Sequence, residues 1–136
     1  AAAARDPKVK HVVLVGSGGK AGVLDAVFGG EDAKRKDPKR ADAFVKAFEA
    51  CGTAGAPALT VVRPGAVRPG LGGKAVAFSQ GGDGGGGGAI NLEDAAECVV
   101  RCLGAPPKKG VLEFDAVETR GDKRSWKALF GELAAQ

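Results

Sequence analysis

The sequence predicts an α/β domain built on a parallel sheet with flanking helices. Three observations lead there. Val9 to Val15 (Val-Lys-His-Val-Val-Leu-Val) is a short β-branched run that ends in Gly16-Ser17-Gly18-Gly19. Leu59 to Val62 is a second such run, stopped by Pro64-Gly65. Runs of this length with turn residues behind them read as strands, and apolar residues on both faces suit a buried parallel sheet. The third observation is the alternation of such runs with segments of helical period, the pattern of a layered α/β domain.

Taken in order, Ala1 to Lys10 reads as a helix end and a turn at Asp6-Pro7-Lys8. The first strand follows, and then the glycine loop 16–22. Residues 31–40 are densely charged and read as a solvated loop. Asp37-Pro38 fits a helix entry, with Asp as N-cap and Pro at the first helical position. Ala41, Phe44, Val45 and Phe48 then recur at three and four, which predicts an amphipathic helix up to Cys51 with Gly52 as its cap. The strand Leu59 to Val62 is next. Residues 66–89 are expected to be a flexible, glycine-rich loop, with a short strand possible at Lys74 to Phe78. Gly81 to Gly88 holds seven glycines and one Asp, a run that costs much backbone entropy to order. Asn91 is the expected N-cap of a helix whose buried stripe is Ala95, Ala96, Val99, Val100 and Leu103, stopped by Gly104 and Pro106-Pro107. Val111 to Val117 predicts a last strand. Asp122 or Ser125 caps a final helix with Trp126, Leu129, Phe130 and Leu133 on one face.

At 136 residues the chain is one domain. Apolar residues make up 44 % and aromatic residues 5 %, so Ala, Val and Leu are expected to fill a modest core. The net charge of +4 permits weak attraction to anions and reads first as a solvated basic surface. Three cysteines without framework spacing argue against a disulfide-stapled secreted domain. Cys98 and Cys102, four apart on a helix, read as small buried residues. No metal site is expected. His11, the single histidine, stands at the start of a strand, opposite the expected site, and reads as structural. No apolar run reaches the ~18 residues of a membrane span. The Ala-rich opening, without Met or secretory pattern, is expected to follow removal of a targeting peptide or to be the edge of a fragment.

Ligands of open parallel sheets sit beyond the carboxyl ends of the strands. That places the expected site at Arg63-Pro64-Gly65 and at the loop after the first strand. Gly16, Gly19 and Gly22 match G-x-x-G-x-x-G, a loop that can bring backbone N–H groups against a pyrophosphate. The acidic residue expected about twenty positions on, after a second strand, is missing from that context.

A wider set of residues carries a resemblance. Val9-Lys10-His11-Val12 leads a strand into Gly16-Ser17-Gly18, Phe44 to Glu49 lies in a helix, and Leu59 to Gly65 ends in Arg-Pro-Gly. Ile90, Asp94 and Ala96 then match I-x-x-x-D-x-A at a helix start. In this order, from Asp6 to Phe130, the chain resembles the C-terminal half of the atypical, or extended, short-chain dehydrogenase/reductase family. The resemblance implies a Rossmann-like fold and an NADP or NAD cofactor. It puts Ser17 in the place of the catalytic serine, and Gly16, Ser17, Gly18, Arg63, Pro64 and Gly65 beside the cofactor. Two departures stand out. The cofactor fingerprint of an earlier strand is absent, and so is the Tyr of Tyr-x-x-x-Lys, since the chain has no Tyr. Lys46 lies near the expected lysine without a phenol four residues before it. Proton transfer therefore lacks its usual agent.

The expected function is an NAD(P)-binding reductase-like protein with altered or lost catalysis. A non-catalytic interaction subunit or assembly factor that reuses the fold is the alternative. RNA binding through Lys34 to Arg40 is a third reading, unsupported by any interleaved aromatic residue. A parallel sheet cut at its centre exposes a strand edge, so a protein partner or a missing N-terminal half is expected to cover it. A plastid or mitochondrion is the expected location, with the cytoplasm as the alternative.

Overall fold

The computed structural model describes residues 8–16, 45–48, 57–80, 88–108 and 110–134. Its strands are β1 (His11–Val15), β2 (Ala58–Pro64), β3 (Ala66–Arg68), β4 (Val76–Ser79), β5 (Ala89–Asn91) and β6 (Val111–Glu118). The helices are α1 (Leu92–Leu103) and α2 (Trp126–Ala134), and residues 45–48 are also helical. The domain is α/β with a mixed sheet in the order β1-β2-β6-β4. β1, β2 and β6 are parallel, whereas β4 joins β6 antiparallel at one edge. The wholly parallel sheet expected from the sequence is corrected at that edge. Chain direction is set by the turns between strands, and a four-residue apolar run carries no mark of it.

The stretch 66–89, expected to be a loop with a short strand at Lys74 to Phe78, contains β4 near that place and also β3 and the start of β5. β3 and β5 form a separate two-stranded parallel sheet beyond the carboxyl end of β2. Two glycines permit it. The Ala66 N–H donates to the Gly88 carbonyl at 3.0 Å. A Cβ on Gly65 would stand 2.4 Å from that carbonyl oxygen, and one on Gly88 would stand 2.6 Å from Val117. Residues 81–87, with most of the glycine tract, lie outside the described residues, as do the expected caps Asp37 and Gly52.

Both faces of β2 are buried: Leu59, Val61 and Val62 are covered, and so is Thr60, the one polar residue among them. On one face Val62, Phe114 and Ala116 pack with Val67, Val76, Ile90 and the inner stripe of α1, Ala95, Cys98 and Cys102. On the other, Leu59 and Val61 meet Phe48, with Val12, Leu14, Val45 and Val111 around them. Four of the five described aromatic residues meet where α2 packs on β4 and β6. Phe78 lies 4.5 Å from Phe114, 5.1 Å from Phe130 and 6.0 Å from Trp126, centroid to centroid. A core filled chiefly by small side chains, as composition suggests, is therefore corrected at this corner.

The helix termini follow their sequence signals with one difference. Ser125 caps α2, its Oγ accepting the Ala128 N–H at 3.2 Å. Asn91 precedes α1 at the N-cap position, yet its side chain makes no capping hydrogen bond. It donates to the Leu71 carbonyl and accepts from Arg68 Nε instead. Among the described residues, no helix is long and apolar enough to cross a membrane.

Candidate functional site at the carboxyl edge of the sheet

β1, β2 and β6 end on the same side because they are parallel, which brings Gly16, Arg63 and Asp115 together. Gly16 follows β1 and donates its N–H to the Val62 carbonyl at 2.9 Å, extending the ladder by one residue. Arg63 pairs in register with Asp115. Its Nε–H donates to Asp115 Oδ1 at 2.9 Å and its Nη1–H to Glu113 Oε2 at 3.1 Å. Glu113 and Asp115 are two apart on β6, so both carboxylates stand on the face that Arg63 occupies. The Arg63 stem lies across Gly16, where a Cβ would sit 3.2 Å from Arg63 Cγ.

The electrostatics of this edge are self-contained. The Asp115 residue is 3 % exposed and the Arg63 side chain 14 %, so neither is freely hydrated. Burial works against the Arg63 charge, but the hydrogen bonds and charges of Asp115 and Glu113 outweigh it and hold the guanidinium above its ordinary value. A buried cation left without these carboxylates would be costly. Glu113 is the looser partner, with its side chain 37 % exposed. An incoming anion would exchange with Glu113 more readily than with Asp115.

Of the sequence-predicted residues, the structure brings Gly16 and Arg63 together. Pro64 and Gly65 are buried, and the Gly65 Cα faces Gly88 and Val117 at the join with β3 and β5. Ser17 and Gly18 lie outside the described residues, as do Gly19, Gly22 and Lys34 to Arg40. Lys46, on the exposed side of its helical segment, is described. Sequence reasoning missed Glu113 and Asp115. Their signal was two acids at alternate positions in the run Val111 to Val117, which calls for a cation nearby without saying which strand carries it.

A second polar device stands beside this edge. Asp94, 1 % exposed, accepts the Gly73 N–H at 2.7 Å and the Lys74 N–H at 3.3 Å, and Glu93 accepts the Gly72 N–H at 2.7 Å. Gly73 has φ of 93°, a left-handed conformation that suits glycine. The acids at the start of α1 thus pin the loop 70–74 as well as favouring the helix dipole. Arg68 ties the same region to β6 through Glu118 at 2.8 Å.

Elsewhere His11 Nε2 lies 2.9 Å from Thr60 Oγ1, in keeping with a structural role. Its Nδ1 is buried. Burial lowers the His11 pKa, and the bordering backbone of Leu103 only partly opposes this. Cys98 and Cys102 are fully buried free thiols. The hydrogen bond with Cys102, together with burial, pushes the Cys98 thiol well above its ordinary range. Among the described residues, no group of three His, Cys, Asp or Glu side chains is placed to hold a metal ion.

Two clefts among the described residues lie away from the carboxyl edge. One of about 570 Å³ runs between β4 and α2, past Ser79, Asp122 and the Arg124–Glu132 ion pair. Another of about 720 Å³ separates α1 from α2 and is lined by Val100, Trp126 and Phe130. Neither includes Gly16, Arg63, Pro64 or Gly65. Strand-end chemistry in parallel sheets depends on backbone and side chains converging at one edge, so the Gly16–Arg63 edge is the better candidate.

The fold and this edge define an α/β domain with a mainly parallel, mixed sheet. Comparison with known proteins gives no match: no family model fits the sequence, and no curated protein or solved structure is similar to it.

Proposed function

We propose that this chain is a Rossmann-like, NAD(P)-binding domain of the atypical short-chain dehydrogenase/reductase type that binds the dinucleotide without ordinary reductase chemistry. The observation that carries this reading is the alignment of Gly16 with Arg63 at the carboxyl edge of three parallel strands. Gly16 carries no side chain there, and Asp115 fixes an Arg63 guanidinium that an anion would reach by displacing the more exposed Glu113. The phenol that would donate a proton to substrate is missing, since the chain contains no Tyr. Binding and orientation of a dinucleotide need no such group.

Titration with NADPH and NADH, followed by nicotinamide fluorescence and by calorimetry, tests the reading. Saturable binding is expected, with no hydride transfer to carbonyl substrates. Gly16→Val should abolish binding, because its side chain meets an Arg63 stem that two carboxylates hold in place. Absence of binding by either cofactor removes the reading.

A second reading, a non-catalytic interaction subunit, is favoured by a different observation. Among the described strands, β1 is an outer strand of the sheet and is parallel to its neighbour. Parallel strands are usually covered, so this edge suits a protein contact. Failure of the cofactor titration together with stable protein–protein association would favour this second reading.

A further inference from the structure

We propose, resting on the dinucleotide reading of this edge, that Glu113 determines which phosphate Arg63 takes. It makes the edge accept a singly charged phosphate diester, of the kind that links the two halves of a dinucleotide, over a doubly charged terminal phosphate.

Negative charge is in surplus at Arg63. One guanidinium meets two carboxylates, Asp115 on Nε at 2.9 Å and Glu113 on Nη1 at 3.1 Å. Either carboxylate alone would balance the cation. Asp115 is the fixed one. Its side chain is almost wholly buried, and in register it stands between Arg63 on β2 and Ser79 on β4. Glu113 is the surplus one, more exposed and set back by two residues on β6. In register it faces Val61, not a cation. An exposed partner of this kind contributes little to stability, so its charge acts chiefly on whatever approaches Arg63.

An incoming oxyanion takes the place of Glu113 on Nη1. The displaced carboxylate remains tethered to β6, near its own strand position and roughly 7 Å along the strand from Asp115. That is within the Debye length of ~8 Å at physiological salt, so its charge still reaches the ligand. Asp115 meanwhile keeps its bond to Nε and offsets most of the attraction of the guanidinium. Gly16 adds no backbone donor, because its N–H is given to Val62. Attraction grows in proportion to the charge of the ligand, whereas the cost of removing that charge from water grows with its square. At a largely buried guanidinium whose attraction is nearly cancelled, a second charge therefore adds more cost than attraction. Each linking phosphate of a dinucleotide carries one charge, and a terminal phosphate carries about two at neutral pH.

NMR titration of the chain at about pH 7.5, followed at the Arg63 Nε–H resonance, tests this with two probes: dimethyl phosphate, with one charge, and methyl phosphate, with about two. The wild-type chain should bind dimethyl phosphate the more tightly. Glu113→Gln should raise the affinity for both, and for methyl phosphate about threefold more. One charge at roughly 7 Å in a water-like dielectric changes binding about threefold per ligand charge. Glu113→Asp keeps the charge but draws it back from Nη1, and it should keep the wild-type order. Tighter binding of methyl phosphate by the wild-type chain would overturn the proposal. So would equal gains in Glu113→Gln, a reversed order in Glu113→Asp, or no shift at Arg63 with either probe. NADH titrated into the same samples separates the two readings of the edge. Saturable NADH binding without the charge dependence sinks the specificity role alone. The charge dependence without NADH binding sinks the cofactor reading alone.

Discussion

Asp94 and Asp115 are both almost wholly buried carboxylates, yet they are held in different ways. Asp94 is met by the backbone N–H groups of Gly73 and Lys74, and Asp115 by the guanidinium of Arg63. The first arrangement fixes the shape of a loop. The second ties the ends of two neighbouring strands and keeps a cation at the carboxyl edge. A carboxylate facing backbone amides leaves neutral groups behind when it is removed. One facing a guanidinium leaves a buried charge.

The largest effect is therefore expected at Asp115. Asp115→Ala should destabilise the domain by about 3 kcal/mol, the cost of breaking a buried pair from one side. Arg63→Met combined with Asp115→Leu should lose less than Asp115→Ala alone, because the one charge left without a partner, Glu113, is exposed enough to be hydrated. Denaturant unfolding of the set checks this, and a double variant as unstable as the single would contradict the pairing argument. Glu113→Gln sharpens the contrast. As a more exposed partner it should cost under about 1 kcal/mol, with a marked dependence on salt.

Asp94→Ala comes next, at about 1–3 kcal/mol for buried N–H groups left without an acceptor. Asp94→Asn keeps one oxygen and should lose less. Hydrogen exchange gives the more specific readout. The amides of Gly73 and Lys74 should lose protection in Asp94→Ala while those of β2 and β6 keep theirs. Uniform loss across the sheet would mean that Asp94 supports the core and not the loop.

His11 extends the comparison to a partly buried group that no described carboxylate pairs with. Its folded pKa lies below the unfolded value of about 6.5, so protonation favours the unfolded chain. Stability should be unaffected well above that value and fall as the pH drops through it, levelling off once the folded group is protonated as well. His11→Gln should remove this part of the pH dependence. An unchanged profile in the variant would place its origin elsewhere. The effect is the smallest of the three, since one partly buried imidazole is involved.

The elements with strong periodic signals were legible. β2 and α1 follow from apolar runs and spacing, and Ser125 and Gly104 mark helix ends by their chemistry. β3 and β5, at three residues each, are too short to show a period, and they exist because Gly65 and Gly88 let two backbones approach. At the site, Gly16 and Arg63 stood out because turns follow their strands. Asp115 did not, because the identity of a strand's neighbour is a long-range fact that no local pattern carries. The helix-start acids were legible as dipole partners, but their loop partners lie about twenty residues away in sequence.

The most direct test of the account is a ¹⁵N-resolved NMR titration of the chain with NADPH. The account predicts saturable shifts at Val15, Gly16 and Arg63, with little change at the β4–α2 cleft. Shifts confined to that cleft, or none at all, would contradict a dinucleotide site at the carboxyl edge of the sheet.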